Sequence, residues 1–365
     1  MTSLTGDQPR VRVGFIGAGN WAEYNHMPLF KARSDVELVG IATPTQKSRD
    51  RVQARFGIPF ATPDYIELLE HPLDAVVISS PHGLHYEQAK ASLEAGKHVL
   101  VEKPMTLYAS EAWELVKLAE KLNRVLIVPT GYHYKPMVLA AKKQMEHGMV
   151  GAVEYMLCHL GSALRSLYEG TPWPYGMENI PDPKDYYSDP KVSGGGQGYS
   201  QLSHSVMLLL WLTGLRAVEV FAYMTAPNAK VEMYDAIVAK FDNGSIATIS
   251  GAGTQPPNDT KHELDIRIFG DEGELRLDLY REWMEVRRND NENFSLDVKP
   301  GDGDYTCDGP VNLFIDLIQG KTTENLSPAN VAAKTIELIE AAYRSFASGK
   351  PETIEWALKL PKSCQ

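Results

Sequence analysis

The stretch Val11-Arg-Val-Gly-Phe-Ile-Gly17-Ala-Gly19-Asn-Trp-Ala22 decides the fold of the first third of the chain. Its first half is a short apolar run typical of a buried strand, and a helical pattern follows the glycines. Gly17 permits a tight turn, Gly19 lets another molecule approach the backbone, and Ala22 is small enough for close helix–sheet packing. Between a strand and a helix, this Gly-x-Gly-x-x-Ala motif predicts a turn that binds the pyrophosphate of a dinucleotide.

The residues after the glycines support the same prediction. Asn20 and Trp21 open the helix, whose unpaired N–H groups and partial positive charge would face the phosphates. We therefore expect this part of the chain to hold a nicotinamide dinucleotide, either NAD(H) or NADP(H).

The choice between the two cofactors is usually made at the end of the second strand. An acidic residue there binds the ribose hydroxyls and repels a 2′-phosphate. Here the strand predicted at Val36 to Ala42 is followed by Thr43-Pro-Thr45, with no acid. The threonines suit either ribose hydroxyls or a phosphate, whereas Lys47 and Arg49 either add positive charge or form a solvated helix face. The choice stays open, with a slight preference for NADP(H).

Strand and helix patterns alternate up to Thr130 and predict a parallel sheet covered on both faces. Helical segments such as Ser110 to Leu122 carry apolar residues at helical spacing, as expected for core packing. We predict an α/β Rossmann domain over residues 1–130. Its strands are expected at Val11 to Ile16, Val36 to Ala42, Ala75 to Ser80, His98 to Val101 and Val125 to Val128.

Residues 131–365 show a different pattern, in which a helix at Met137 to His147 leads into long strands joined by hairpin turns. Asp242-Asn-Gly244 and Gly270-Asp-Glu-Gly273 contain residues that tolerate positive φ. They predict an α+β domain with a largely antiparallel, open-faced sheet. Because a second subunit often covers such a face, we expect a homodimer or a homotetramer. The predicted strands are Ala152 to His159, Val218 to Met224, Asp235 to Phe241, Ile246 to Ile249, Asp265 to Phe269 and Glu274 to Leu279.

Composition narrows the class of partner. A chain of 365 residues that is 43% hydrophobic and 23% charged suits two globular domains. Its net charge of -11 argues against nucleic acid or anionic membranes as partners and favours small molecules. The N-terminus lacks the apolar core of a signal peptide, and the cysteines at 158, 307 and 364 form no disulfide or zinc pattern. We expect a cytoplasmic protein without a metal site.

Further motifs extend the glycine turn into a resemblance that spans nearly the whole chain. They are Ser80-Pro81-His82 at the end of a predicted strand, His85 in the next helix, Val101-Glu102-Lys103-Pro104, Gly131-Tyr132 and Asn312-Leu-Phe-Ile-Asp316. With them the sequence resembles the glucose-fructose oxidoreductase, inositol dehydrogenase and MocA (Gfo/Idh/MocA) family. The resemblance implies a second domain that binds substrate and forms oligomers.

The resemblance also implies roles for residues at the edge of the Rossmann sheet. In the family the lysine of Glu-Lys-Pro lies beside the nicotinamide ribose and the substrate hydroxyl, so Lys103 is the first catalytic candidate. Glu102 inherits a role on the cofactor side, as do Ser80, Pro81, His82 and His85. An ammonium group at this edge can hydrogen-bond the reacting oxygen and stabilise its negative charge as hydride leaves.

The second catalytic candidate, His204, follows the glycine run 194–196. The family commonly has an Asp four residues before this His, but here that position is Ser200, and Leu202 replaces the usual Gly. On a helix Ser200 and His204 share a face, so the hydroxyl is expected to orient substrate or water near the imidazole. Gln201 offers an amide to sugar hydroxyls, or else caps the helix or faces solvent.

Aromatic residues supply the remaining substrate candidates. Thr171 to Pro190 is rich in proline and aromatic residues, among them Trp173 and Tyr187. Aromatic faces pack well on the C–H faces of sugar rings, so we expect either a loop that covers the substrate or an oligomer contact. Tyr134, at the entry to the second domain, is a further candidate.

Three functions remain possible from the sequence. The leading one is a dehydrogenase or reductase that moves a hydride between a nicotinamide and a secondary hydroxyl or ketone of a sugar, glycoside or cyclitol. The second is a glycosidase that uses bound NAD to oxidise and re-reduce its substrate, with no net change in nicotinamide absorbance. The third is a non-catalytic sensor that binds the dinucleotide alone, which the presence of Lys103 and His204 makes the weakest of the three.

Overall fold

The first domain of the computed structural model, which describes residues 9–172, 183–255 and 261–355, is built on a parallel sheet. Its strands are β1 (Val11–Ile16), β2 (Val36–Ala42), β3 (Phe60–Thr62), β4 (Ala75–Ile78), β5 (His98–Val101) and β6 (Leu126–Ile127). Their order is β3-β2-β1-β4-β5-β6, so the direction of winding reverses between β1 and β4. In such sheets, ligands bind outside the carboxyl ends of the strands at this switch point.

Helices cover the sheet on both sides, as the alternation in sequence predicts. They are α1 (Met27–Ala32), α2 (Gln46–Phe56), α3 (Tyr65–Glu70), α4 (His85–Glu94) and α5 (Ala109–Leu122). A π-helical turn at Ala22–His26 precedes α1 and follows the glycine motif. The three-residue strand β3 is absent from the prediction because so short a run shows no clear period-two pattern.

The second domain carries a nine-stranded sheet in the described part of the chain. Its strands are β7 (Val153–Gly161), β8 (Ala217–Thr225), β9 (Tyr234–Phe241), β10 (Ile246–Ala252), β11 (Glu263–Gly270), β12 (Gly273–Asp278), β13 (Trp283–Arg288), β14 (Phe294–Ser295) and β15 (Glu352–Thr353). They lie in the order β14-β13-β12-β11-β7-β10-β9-β8-β15, and all neighbours are antiparallel except β7 and β10. The predicted Rossmann domain and mostly antiparallel second sheet are therefore confirmed.

Helices cover one face of this sheet, and in the described part of the chain the other face is open. The helices that pack on its strands are α6 (Pro136–Glu146), α9 (Ser203–Thr213) and α11 (Ala329–Ser348). The remaining α-helices described in this half of the chain are α7 (Arg165–Tyr168), α8 (Pro190–Ser193) and α10 (Asp308–Ile318). Along β9, residues alternate between buried and exposed positions. The open face presents the exposed side chains Tyr223, Val238, Ile246 and Trp283. No helix in the described ranges combines the length and apolar character needed to cross a bilayer.

The last two long helices connect the domains. Phe314 of α10 packs in one core with Phe15 of β1, and Ala333 of α11 packs in another with Trp113 of α5. Both helices thus complete the hydrophobic core of the first domain, although they come from the end of the chain. The domain boundary at residue 130 stays a prediction, since α10 and α11, which follow it in sequence, pack against the first domain.

Candidate active site

The glycine turn lies between the ends of β1 and β4. Gly17 has a φ of +96°, and a Cβ there would lie 2.6 Å from the carbonyl oxygen of Ser79, so only glycine fits. A Cβ on Gly19 would meet no described atom within 4 Å, which leaves its backbone open to close approach. Asn20 opens the helix beside it, and Ala22 is fully buried. These features fit a dinucleotide pyrophosphate.

Glu102, just beyond β5, is held by three donors. Its carboxylate contacts Nε1 of Trp21 at 2.9 Å, Nε2 of His26 at 2.5 Å and the backbone N–H of Lys103 at 3.1 Å. Burial acts to raise the pKa of Glu102, but the contact with His26 and the charge of Lys103 bring it below its ordinary value. Trp21 and Glu102, both predicted on the cofactor side, therefore form one connected unit beside the glycine turn.

The loop after β4 is braced by His85 at the start of α4. Nε2 of His85 lies 2.9 Å from the carbonyl oxygen of Ser80, and Nδ1 lies 2.8 Å from that of Pro104. The imidazole thus connects the loop containing Ser80 and Pro81 to the loop after Lys103. Because its ring is occupied by these carbonyls, His85 shapes the predicted cofactor edge through the backbone.

His82 connects the two domains. Its Nδ1 lies 3.0 Å from the carbonyl oxygen of Ser193, and its ring packs edge-on against Tyr186, which in turn contacts Tyr187. The predicted substrate residue Tyr187 is thereby brought next to the cofactor edge. His82 and His85 lie 5.7 Å apart, but within the described ranges no group of three or more His, Cys, Asp or Glu is placed to hold a metal.

Positive charge lies at the carboxyl end of β2. Thr45 caps α2, and Nη1 of Arg49 donates to the carbonyl oxygens of Thr43, at 2.6 Å, and of its neighbour Pro44. Nη2 of Arg51 donates to the carbonyl of Ala18 in the glycine turn at 3.2 Å. Because Arg51 is also ion-paired with the buried carboxylate of Glu23 at 2.9 Å, the positive charge at the end of β2 comes from Arg49.

Lys103 joins the two domains at the edge of the sheet. Its Nζ donates to the carbonyl oxygen of Ser200 at 2.7 Å, which fixes the direction of the ammonium group. Burial lowers the pKa of Lys103, against the opposing charge of Glu102. The ammonium is thus held at the carboxyl end of β5 by a carbonyl of the second domain.

His204, on α9, faces the same region. It is buried, and its Nδ1 has no hydrogen-bond partner among the described residues. Its ring packs edge-on against Tyr305 at 5.2 Å and Tyr132 at 5.9 Å. Burial and the nearby charge of Lys103 lower the pKa of His204 well below about 6.5, so the imidazole is neutral at pH 7. A neutral imidazole can accept a proton.

The hydroxyl of Ser200 is engaged on another side. It lies 2.5 Å from the hydroxyl of Tyr168 and donates to the carbonyl of Gly196 at 2.7 Å. Residues Gly198–Leu202 form a π-helical turn, so the α-helical spacing that would align Ser200 with His204 does not apply. Ser200 faces this region through its carbonyl, and its role as a substrate contact stays a prediction.

Gln201 and Tyr134, two of the other predicted substrate residues, have different surroundings. Gln201 is buried, and its Oε1 has no partner among the described residues. A buried oxygen of this kind is available to accept a hydrogen bond from a ligand hydroxyl. The hydroxyl of Tyr134 contacts that of Ser327 at 2.8 Å, and its ring packs on Gly309, so its role as a substrate contact stays a prediction. Trp173 lies outside the described residues.

The site also contains residues without an assigned role in the sequence analysis. Tyr132 and Tyr305 pack edge-on at 4.8 Å, and the ring of Tyr305 lies 5.9 Å from that of Trp21. Nδ1 of His262 lies 3.2 Å from the hydroxyl of Tyr132. Only Tyr132, within the Gly131-Tyr132 motif, carries a signal that pointed to this place. His262 and Tyr305 stand in no motif and arrive through long-range folding.

Comparison with known families agrees with the geometry. Residues 11–130 match the family described as "Oxidoreductase family, NAD-binding Rossmann fold", and residues 138–276 match the "GFO/IDH/MocA C-terminal domain". The fold and the glycine turn define a dinucleotide-binding protein of the oxidoreductase class. The chain belongs to the Gfo/Idh/MocA family, as the resemblance in its sequence predicts.

Two curated relatives are named as sugar enzymes. The chain is 30% identical to D-glucoside 3-dehydrogenase of Escherichia coli (strain K12) over 144 residues, 39% of this chain and 41% of that protein. It is 31% identical to levoglucosan dehydrogenase of Pseudarthrobacter phenanthrenivorans over 145 residues, 38% of this chain and 37% of that protein. The chain spans about half the length of the curated relatives it matches.

Solved structures share the whole fold. Levoglucosan dehydrogenase in complex with NADH and L-sorbose has a TM-score of 0.76 at 19% identity, covering 95% of this chain and 99% of that one. GenD2 from gentamicin A biosynthesis, in complex with NAD, has a TM-score of 0.74 at 22% identity, covering 94% and 96%. At these identities the likeness shows the fold.

Proposed function

We propose that this chain transfers a hydride between the nicotinamide of NAD(P) and a secondary hydroxyl or ketone of a sugar, glycoside or cyclitol. The observation that carries the proposal is that the Lys103 ammonium, at the carboxyl end of β5, contacts the carbonyl of Ser200 in the turn that leads to His204, whose neutral imidazole lies within range of the Lys103 charge. The names of two relatives, a glucoside and a levoglucosan dehydrogenase, support sugars as the substrate class.

The proposed reaction divides the work between the two side chains. In the oxidation direction the substrate carbon loses a hydride and its hydroxyl loses a proton, so a secondary alcohol becomes a ketone. A dinucleotide held at the Gly17 turn would supply the hydride acceptor, the nicotinamide ring of NAD(P)⁺. His204 accepts the hydroxyl proton, and Lys103 donates a hydrogen bond that stabilises negative charge on the reacting oxygen.

Surrounding residues hold these groups in place. The carbonyl of Ser200 fixes the Lys103 ammonium, and Tyr168 in turn holds the Ser200 hydroxyl. Trp21 and Glu102 shape the cofactor side of the site. Positioning of this kind keeps the reacting atoms within reach of one another and so lowers the entropic cost of the reaction.

The pH dependence of oxidation tests the role of His204. Because the pKa of His204 lies well below about 6.5, the base is already unprotonated at pH 7, and the rate should rise with pH only on the acid side of that value. Burial also lowers the pKa of Lys103 below its ordinary value of 10.5. As the pH rises, the ammonium should therefore lose its proton, and the rate should fall, before pH 10.5 is reached. His204→Asn should lower kcat by about 10²–10⁴-fold and abolish the acid limb.

A matched variant tests whether the effect belongs to His204 or follows the replacement of any histidine. His147 is exposed at the end of α6, so His147→Asn should keep both the rate and the full pH profile. If the acid limb persists unchanged in His204→Asn, another group accepts the proton, and Lys103 becomes the next candidate.

A spectrophotometric screen of sugars, glycosides and inositols with both cofactors tests substrate class and cofactor preference together. We infer a preference for NADP(H), because no carboxylate directly follows β2 and the guanidinium group of Arg49 lies at that end. The KM for NADP(H) should be about tenfold or more below that for NAD(H), equivalent to about 1.4 kcal/mol. A KM lower for NAD(H) would overturn the preference, and no absorbance change with any compound would overturn the proposed reaction.

We also propose that the chain forms a homodimer or a homotetramer through the open face of its second sheet. The support is the group of exposed aromatic and aliphatic side chains on that face, Tyr223, Val238, Ile246 and Trp283. Exposed apolar patches on a flat sheet commonly mark an interface between subunits.

A further inference from the structure

His262 stands immediately before β11 and lies in the same cluster as His204, which comes from α9. Their ring centroids are 6.5 Å apart, and the ring of Tyr132 contacts both residues, His204 through an edge-on packing and His262 through its hydroxyl. The charge of Lys103 reaches both imidazoles and lowers the pKa of each. Two histidines from different elements therefore lie within range of the charge of one lysine.

The hydrogen-bonding state of His262 leaves it one nitrogen for a ligand. Nδ1 lies 3.2 Å from the Tyr132 hydroxyl, so Nε2 is the ring nitrogen that this contact leaves for a ligand. Burial, followed by the charge of Lys103, lowers the pKa of His262 to about 4, so the ring is neutral at pH 7. The contact with Tyr132 selects one tautomer of the neutral His262 ring. In either tautomer Nε2 is a single hydrogen-bond donor or a single acceptor, and a hydroxyl group can pair with both kinds.

The hydroxyl of Ser200 is already engaged. It contacts the hydroxyl of Tyr168 and the carbonyl of Gly196. Serine also lacks the carboxylate that the family pattern has at this position. The aromatic ring of Tyr305 packs edge-on against His204 and adds apolar surface beside it. The imidazole rings of His204 and His262, 6.5 Å apart between centroids, are close enough for one polyol to contact each with a different hydroxyl.

We propose that His262, oriented by Tyr132, is a specificity-determining residue that binds the hydroxyl group on the carbon next to the one oxidised. The substrate class is then a vicinal diol, in which one hydroxyl reacts at Lys103 and His204 and its neighbour bonds to Nε2 of His262. This inference rests on the proposed dehydrogenase function.

The test pairs substrate and enzyme variants. The glycoside or inositol with the highest kcat/KM in the screen is compared with its two analogues that each lack one hydroxyl beside the oxidised carbon. The wild-type enzyme should prefer the parent over one of the analogues by at least about 100-fold in kcat/KM, because a polar site left unpaired rejects its ligand strongly. In His262→Phe that ratio should fall to about tenfold or less, chiefly through loss of activity on the parent compound.

Further variants separate specificity from structural damage. His262→Gln, which keeps a polar group, should give an intermediate ratio, and Tyr132→Phe should lower the ratio less than His262→Phe does. His147→Phe, at an exposed position, should keep the wild-type ratio. A wild-type ratio retained in both His262 variants, or a wild-type enzyme indifferent to both missing hydroxyls, overturns the inference while leaving the dehydrogenase intact. Absence of turnover with every compound defeats the proposed function, and the inference falls with it.

Discussion

Replacing Lys103 by alanine is expected to lower kcat by about 10²–10⁴-fold while changing the Kd for the dinucleotide by less than about tenfold. The ammonium is placed to stabilise charge that develops on the reacting oxygen, so its loss is felt in the transition state. Binding of the dinucleotide persists because the Gly17 turn and the backbone at Gly19 are unchanged. Steady-state kinetics measure kcat, and quenching of protein fluorescence measures the Kd.

Two comparisons sharpen this result. Lys103→Met keeps most of the apolar stem without the charge, so it should be as slow as Lys103→Ala if the ammonium itself matters. Lys117→Ala, on the exposed face of α5, should leave kcat unchanged. Turnover retained in both Lys103 variants would contradict the proposed chemistry and would favour a protein that only senses the dinucleotide.

Replacing Glu337 by alanine is expected to destabilise the protein by about 3–5 kcal/mol. Its carboxylate accepts hydrogen bonds from Nε of Arg216 at 2.9 Å and from Nε1 of Trp113 at 2.8 Å, and a second guanidinium nitrogen also contacts it. Arg216 and Glu337 are 2% exposed each, so removal of the carboxylate would leave a buried guanidinium without its counter-charge. Urea unfolding monitored by circular dichroism measures the loss.

A surface ion pair provides the control for this change. Lys240 and Glu219 pair across β8 and β9 with side chains 60% and 37% exposed, so Glu219→Ala should cost no more than about 1 kcal/mol. An equal loss in the two variants would show that burial of the Arg216–Glu337 pair has no special effect. Because Trp113 belongs to α5 and Glu337 to α11, the same carboxylate also connects the first domain to the helix that returns from the second.

The cofactor edge of the site could be predicted because its determinants are local in sequence. A glycine at a position with positive φ, directly between a strand and a helix, has few structural explanations, and Gly17 stands at such a position. Lys103 follows an apolar strand, and every strand of a parallel sheet delivers its carboxyl end to the same edge. These rules depend on short segments, and the amino-acid pattern reports them directly.

The substrate side depended on tertiary structure. His204 was found through a family pattern, but the π-helical turn before it determines where the Ser200 hydroxyl points, and no residue spacing predicts that turn. His262 and Tyr305 lie far apart in sequence and meet His204 only because the sheet and the loop before α10 fold over α9.

The sequence by itself therefore determined the Rossmann fold, the family, the dinucleotide turn and the catalytic candidate Lys103, because each is encoded within a strand, a turn and the residues that follow. Only the tertiary structure decided which side chains surround the Lys103 ammonium. That arrangement arises from contacts between residues distant in sequence, such as Tyr132 with His262, whose partners are chosen by packing of the whole second domain.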